Sequence, residues 1–236
     1  MTIPGFARPL AAAVALLAAG CSSETTVFDA GVEPLEVPAA APAEWPAMPT
    51  TPGALALLTG SRMGSPEKPA HSWAHGRALL PASIAQVWSA LQWRTGVLLA
   101  VYPDTPTVEC TPIERPEPGY ELSYGVKEIP RGGALYQQNW FQVNWRAATT
   151  RDAAQAIQKV NVRAQKVDGT TWISLLQESI VATPAPGGGT QLEIVRHINA
   201  PDESPASAGE WIELWVAALQ AELAGAPLLP SSYCFP

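Results

Sequence analysis

Basic residues are few in this chain: 14 Lys and Arg stand against 21 Asp and Glu, leaving a net charge of −7. No basic stripe exists to meet phosphates, which excludes nucleic acid as a partner. Cysteine is rarer, three in 236 residues. No CxxC spacing occurs, and neither Cys110 nor Cys234 has a histidine nearby, so zinc binding and thiol redox catalysis are set aside. The three histidines, His71, His75 and His197, do not form a metal-spaced set, and His197 falls on the polar parity of its segment, as a solvated residue would. No Ser-His-Asp order, HExxH or GxSxG is present, and Gly187-Gly188-Gly189 lacks the following helix or Lys of a phosphate loop. Long apolar runs are missing too: the longest, Leu10–Ala19, is too short to span a bilayer.

Hydrophobic content, by contrast, is 47%, ample for one core. The longest helical pattern without internal proline is Ala206–Leu223. Trp211, Leu214, Trp215, Ala218 and Leu219 recur at spacings of three and four, and Ile212, Val216 and Leu223 widen that face. Ser204-Pro205 caps its start; Gly225 and Pro227 end it. Ile84–Trp93 reads as a shorter amphipathic helix capped by Ser83. Strand patterns occur at Ser72–Leu80, Tyr120–Ile129, Gln138–Arg146, Ala156–Val167, Thr170–Val181 and Thr190–Ile198. Val97–Tyr102 is apolar but unassigned, and a proline-dense loop over 103–118 follows it. A tight turn at Asp168-Gly169 would oppose Val162 to Leu175 and Ala164 to Ile173, facing all four inward with Val160. Trp172, Leu176 and Ile180 then face outward. The alternative is a polar slot of Asn161, Arg163 and Gln165 with Trp172 and Leu176; the apolar version is preferred. Either way one strand carries two apolar faces, and something must cover the second.

The N-terminus reads as an export signal, with Arg8 as its positive region and Leu10–Ala19 as its apolar region. Leu17-Ala18-Ala19-Gly20-Cys21 resembles the lipobox of bacterial lipoproteins, with Leu one place further from the cysteine than usual. The resemblance implies a signal peptide over 1–20, lipidation of Cys21, a membrane anchor, and a cell-envelope location facing the periplasm or surface; Ser22 and Ser23 favour the outer membrane. Residues 21–69, rich in Pro and Ala, read as an extended tether in which Gly53–Leu58 is an incidental docking contact. Export to an oxidising compartment leads to the expectation that Cys110 and Cys234 form a disulfide, pinning a C-terminal tail over 226–236.

A first strand, then Leu80-Pro81-Ala82-Ser83-x-x-x-Val87-Trp88-x-x-Leu91, then a run of antiparallel strands and a long C-terminal helix resembles the START-like superfamily (polyketide cyclase/dehydrase, Bet v 1-like, SRPBCC). The resemblance covers roughly residues 70–225 and implies an α+β helix-grip fold, an antiparallel sheet curved around the C-terminal helix with an apolar cavity between. The cavity is expected to hold a small apolar molecule or lipid, lined by Tyr124, Phe141, Val143, Trp145, Val162, Leu175, Ile194, Arg196, Trp211, Leu214 and Trp215. Arg196, a charge on an apolar face, needs a partner, with Glu178 or Glu213 available. No cofactor or metal is expected, and no catalytic residue of an enzymatic member can be matched. A non-enzymatic binding module is therefore ranked first. An interaction lipoprotein with a filled cavity, open to a protein partner, comes second, and a cyclase/dehydrase-type enzyme third.

Overall fold

The computed structural model describes residues 25–28, 31–38, 42–66, 69–92, 108–130, 139–201 and 203–226. Among these, eight strands form one antiparallel sheet: β1 (Leu55–Arg62), β2 (His71–Leu80), β3 (Val108–Glu114), β4 (Leu122–Pro130), β5 (Phe141–Arg151), β6 (Ile157–Gly169), β7 (Leu175–Pro184) and β8 (Thr190–Asn199). The order across the sheet is β1-β2-β8-β7-β6-β5-β4-β3. Two helices, α1 (Ile84–Leu91) and α2 (Pro205–Leu223), lie on one face. The fold is the expected α+β helix-grip.

Both helices start where local chemistry starts them. Ser83 and Ser204 each accept a hydrogen bond from the third backbone N–H of the helix, at Gln86 and Ser207, whose side chains return the bond to the cap residue. Pro205 fills the first turn of α2, where no donor is lost. The helix buries Ala208, Gly209, Trp211, Ile212, Trp215, Val216 and Leu219. Its contact face is therefore centred on Ile212 and Trp215, with Leu214 left half-buried at the margin. The reason is lateral placement: α2 packs chiefly on β1, β2 and β8. At Gly76, a side chain's first carbon would lie 2.7 Å from the Ile212 Cγ2 methyl. The glycine that weakens β2 as a strand lets the helix approach it.

Three expectations are corrected. First, the connection between β6 and β7 is not a two-residue turn. β6 continues through Gly169, which pairs with Phe141 of β5. Gly169 takes φ +125, and a side chain there would sit 2.3 Å from the Trp140 carbonyl, so this glycine serves contact with β5. Val162 consequently opposes Ile180, and Ala164 opposes Glu178. The shift of five residues is odd and exchanges the faces of β7. Leu176 and Ile180 enter the core beneath the helices, while Leu175 turns to the opposite face. Second, Val108–Glu114, expected within a loop, forms edge strand β3, a position where Pro112 costs no ladder donor. Third, residues 55–62, expected in the tether, form β1, paired over its whole length with β2.

The stretch before β1 is not free of the sheet either. It crosses the face away from the helices as a strap. Thr26 donates its N–H to the Val167 carbonyl at 2.7 Å, and Leu35 donates its N–H to Ser179 Oγ at 2.9 Å. Leu35, Val37 and Trp45 pack on Trp73, Val195 and Leu58. The strap covers the second apolar face of the sheet. His197 is therefore 1% exposed rather than solvated, and its Nε2 donates to the Glu36 carbonyl at 2.9 Å. Val97–Tyr102, Cys21 and Cys234 lie outside the described residues, and with Cys234 so does the expected disulfide.

Candidate functional site

Four neighbouring strands, β4 to β7, meet both helices at one place. Tyr124 of β4, Trp145 and Ala147 of β5, Val162 of β6 and Ile180 of β7 meet Leu91 of α1 and Trp215 of α2 around one slot. Alternation explains the set. Tyr124 pairs with Trp145, Ala147 with Val162, and Val162 with Ile180, so each side chain stands on the helix-facing side. The Tyr124 and Trp145 rings stack at 6.1 Å. The slot is narrow, about 10 Å³, the room for one water at most. Two residues of its lining are exceptions to the rule that buried polar groups are paired: among the described residues, the indole N–H groups of Trp145 and Trp215 are buried without an acceptor.

Adjoining the slot, and sharing Leu122 and Tyr124 with it, is a larger hollow of about 510 Å³, within the size range of small-molecule sites. Residues 115–124, the β3–β4 connection and the start of β4, form its wall. Pro116 and Pro118 stiffen this wall. Ser123 Oγ ties it together, accepting from the Glu117 N–H at 2.8 Å and donating to the Arg115 carbonyl. Glu117 in turn accepts from Arg146 Nε at 2.7 Å. The Arg146 guanidinium lies over the rings of Phe28 and Tyr120, at 4.0 and 5.0 Å. The Tyr120 hydroxyl also accepts from the Gly31 N–H at 3.1 Å. The strap thus helps hold the rim of the hollow. At the same rim, Glu121 accepts from the N–H and the hydroxyl of Thr149 and from Arg151. Burial opposes ionisation of Glu121, but these hydrogen bonds, led by Thr149, hold its carboxyl below the usual range. Inside, burial pushes the Tyr124 hydroxyl far up, so it stays protonated.

Of the residues expected to line a ligand, Tyr124, Trp145, Val162 and Trp215 meet at the slot. Phe141 and Val143 are buried on the same face, further along β5. Ile194 is buried within the same core. Arg196 is 1% exposed, ion-paired with Glu178, and its guanidinium stands 4.3 Å from the Trp211 ring. It is committed to a structural pair under the helix. Leu175 lies on the other face. Leu91, Ala147, Ile180 and the wall over 115–123 were not foreseen. Ile180 was hidden by the wrong register. The wall carried one signal, the prolines flanking Glu117, that could have marked a rigid rim.

No family model and no curated protein matches the sequence. Solved structures are similar to it. Human StAR-related lipid transfer protein 5 is 13% identical, over 72% of this chain and 82% of that one, with a TM-score of 0.46. The lipid transfer and protein localization domain of human StarD13 is 13% identical over 74% and 90%, with a TM-score of 0.43. Zhui aromatase/cyclase from a Streptomyces species is 13% identical over 65% and 98%, with a TM-score of 0.39.

Proposed function

We propose that this chain is an exported lipoprotein of the bacterial cell envelope, acylated at Cys21 and lodged in the outer membrane. Its START-like domain binds a small apolar molecule carrying a hydrogen-bond acceptor, without transforming it. The observation that carries this reading is the pair of unmatched indole N–H groups on Trp145 and Trp215, at a slot that adjoins a hollow of about 510 Å³. Buried donors without acceptors are costly and rare, and a ligand oxygen would satisfy them. An apolar body would gain about 25 cal/mol per Å² buried against Leu122, Tyr124 and the rim prolines. The described lining of the slot holds no carboxylate and no histidine, which favours binding over acid–base chemistry.

The narrowness of the slot favours the second reading, an interaction lipoprotein with a filled core. One titration separates the two. Residues 21–236 with Cys21→Ser, which contain every described residue, are purified without detergent and titrated with a pyrene-labelled fatty acid. Saturable one-to-one binding that weakens in Trp145→Phe supports the pocket. The absence of saturable binding by the folded protein leaves the interaction module standing.

A further inference from the structure

The lipoprotein reading places an anchor at Cys21, and the strap fixes where that anchor can reach. Thr25 donates its hydroxyl to Asp168 Oδ1 at 3.3 Å, and Thr26 donates its N–H to the Val167 carbonyl at 2.7 Å. Four residue steps separate Cys21 from Thr25, at most about 14 Å of fully extended chain. Val167 and Asp168 stand at the C-terminal end of β6, a strand of 13 residues, about 40 Å long. The anchor therefore reaches one end of the sheet and not the other.

That same end collects the exposed large hydrophobic side chains. Among the described residues these are Val27, Met63 and Trp172, 86%, 88% and 37% exposed. Val27 accepts a hydrogen bond at its carbonyl from Gln165, near the end of β6. Met63 follows Arg62, the last residue of β1, which pairs with His71 at the start of β2. Trp172 lies in the connection that leaves β6 and enters β7. The ladder joins these positions: Ser72 pairs with Ile198, Ile198 with Leu176, and Gln177 with Gln165. Three separate segments thus present apolar side chains on the edge nearest the anchor. A tryptophan at the rim of such a patch suits the boundary between headgroups and acyl chains.

We infer that this end of the sheet, with Val27, Met63 and Trp172 at its surface, rests on the bilayer that holds the Cys21 lipid. The inference rests on the lipoprotein reading, and its test separates the two. The lipidated protein is reconstituted into phosphatidylethanolamine/phosphatidylglycerol vesicles with brominated acyl chains, and tryptophan quenching is read. The mass of the Cys21 peptide is measured in parallel. With the lipid present, Trp172→Phe should remove most of the bromolipid quenching. Ala153→Trp, in the exposed turn at the opposite end, should add fluorescence that is not quenched. Quenching that survives Trp172→Phe, or that rises with Ala153→Trp, overturns the docking surface and leaves the anchor intact. A Cys21 peptide without lipid overturns both the anchor and the surface that depends on it.

Discussion

Tryptophans 145 and 215 make a residue-scale statement that stability and binding can check together. Their N–H groups have no acceptor among the described residues, so Trp145→Phe or Trp215→Phe removes a buried unsatisfied donor. Thermal unfolding should show no loss of stability, while affinity for an acceptor-bearing probe falls about three- to tenfold, the worth of one hydrogen bond. Lower affinity together with lower stability would mark a packing role instead. Glu193 makes the second statement. Hydrogen bonding from His75 at 2.9 Å, helped by Arg77 and opposed by burial, holds its carboxyl below the usual 4.5. A carboxyl depressed in the folded state stabilises the fold above its unfolded pKa. That contribution is lost as pH falls through the lower folded value. Denaturant unfolding between pH 6 and pH 3 should therefore show a stability drop below about pH 4.5 that is shallower in Glu193→Gln. Equal slopes would place the acid sensitivity elsewhere.

Two elements, the strap and β1, change what a truncation means. Removing the first 69 residues deletes β1 and uncovers His197, Val195 and Trp73. Circular dichroism of that fragment should show lost cooperativity on heating, where a free tether would leave the transition unchanged. Within the strap, Leu35→Ala should cost about 2 kcal/mol, the low end for a buried leucine, because its small cluster can partly close. On the other face, Arg196 and Glu178 join β8 to β7 beneath Trp211. Glu178→Leu alone should cost about 3–5 kcal/mol by stranding a buried guanidinium, and the double change Glu178→Leu with Arg196→Met should recover most of it. Non-recovery in urea melts would mean the pair is needed for the packing itself.

Taken whole, the molecule has two ends with different surroundings. The hollow over residues 115–124 lies at the start of β4, whereas the edge where Thr25 meets Asp168 lies past its C-terminal half. From Phe141 to Ala147 along β5 is six residue steps, about 20 Å. With that edge on the bilayer, the start of β4 that lines the hollow stands back from the surface. Under the proposed docking, ligand would arrive from the aqueous side or from a partner rather than directly from the bilayer. A pyrene-labelled fatty acid should accordingly bind the vesicle-anchored protein and the soluble Cys21→Ser form with similar affinity; strong weakening on anchoring would place the mouth against the lipid.

The periodicity of Ala206–Leu223, the serine caps, the alternation along β4, β5 and β8, and the buried, partnered state of Arg196 were legible from residues alone. The helix, caps and alternation depend on neighbours a few positions away, which side-chain spacing encodes directly; Arg196 was betrayed by its parity with apolar neighbours, and its partner Glu178 lies 18 residues away on β7. The β6–β7 register was not, because Asp168-Gly169 satisfies two demands equally well, a tight turn or a close approach to Phe141, and only the pairing with β5 selects the second. β1 and the strap were not legible either. Leu55–Arg62 and Leu35–Val37 have no repeating pattern of their own. One becomes a strand by pairing with the edge of β2, and the other is ordered by a sheet face that would otherwise stand bare. His197 followed them: its parity was read correctly, but its burial was decided by a segment 161 residues away in the chain, whose Glu36 carbonyl accepts its hydrogen bond.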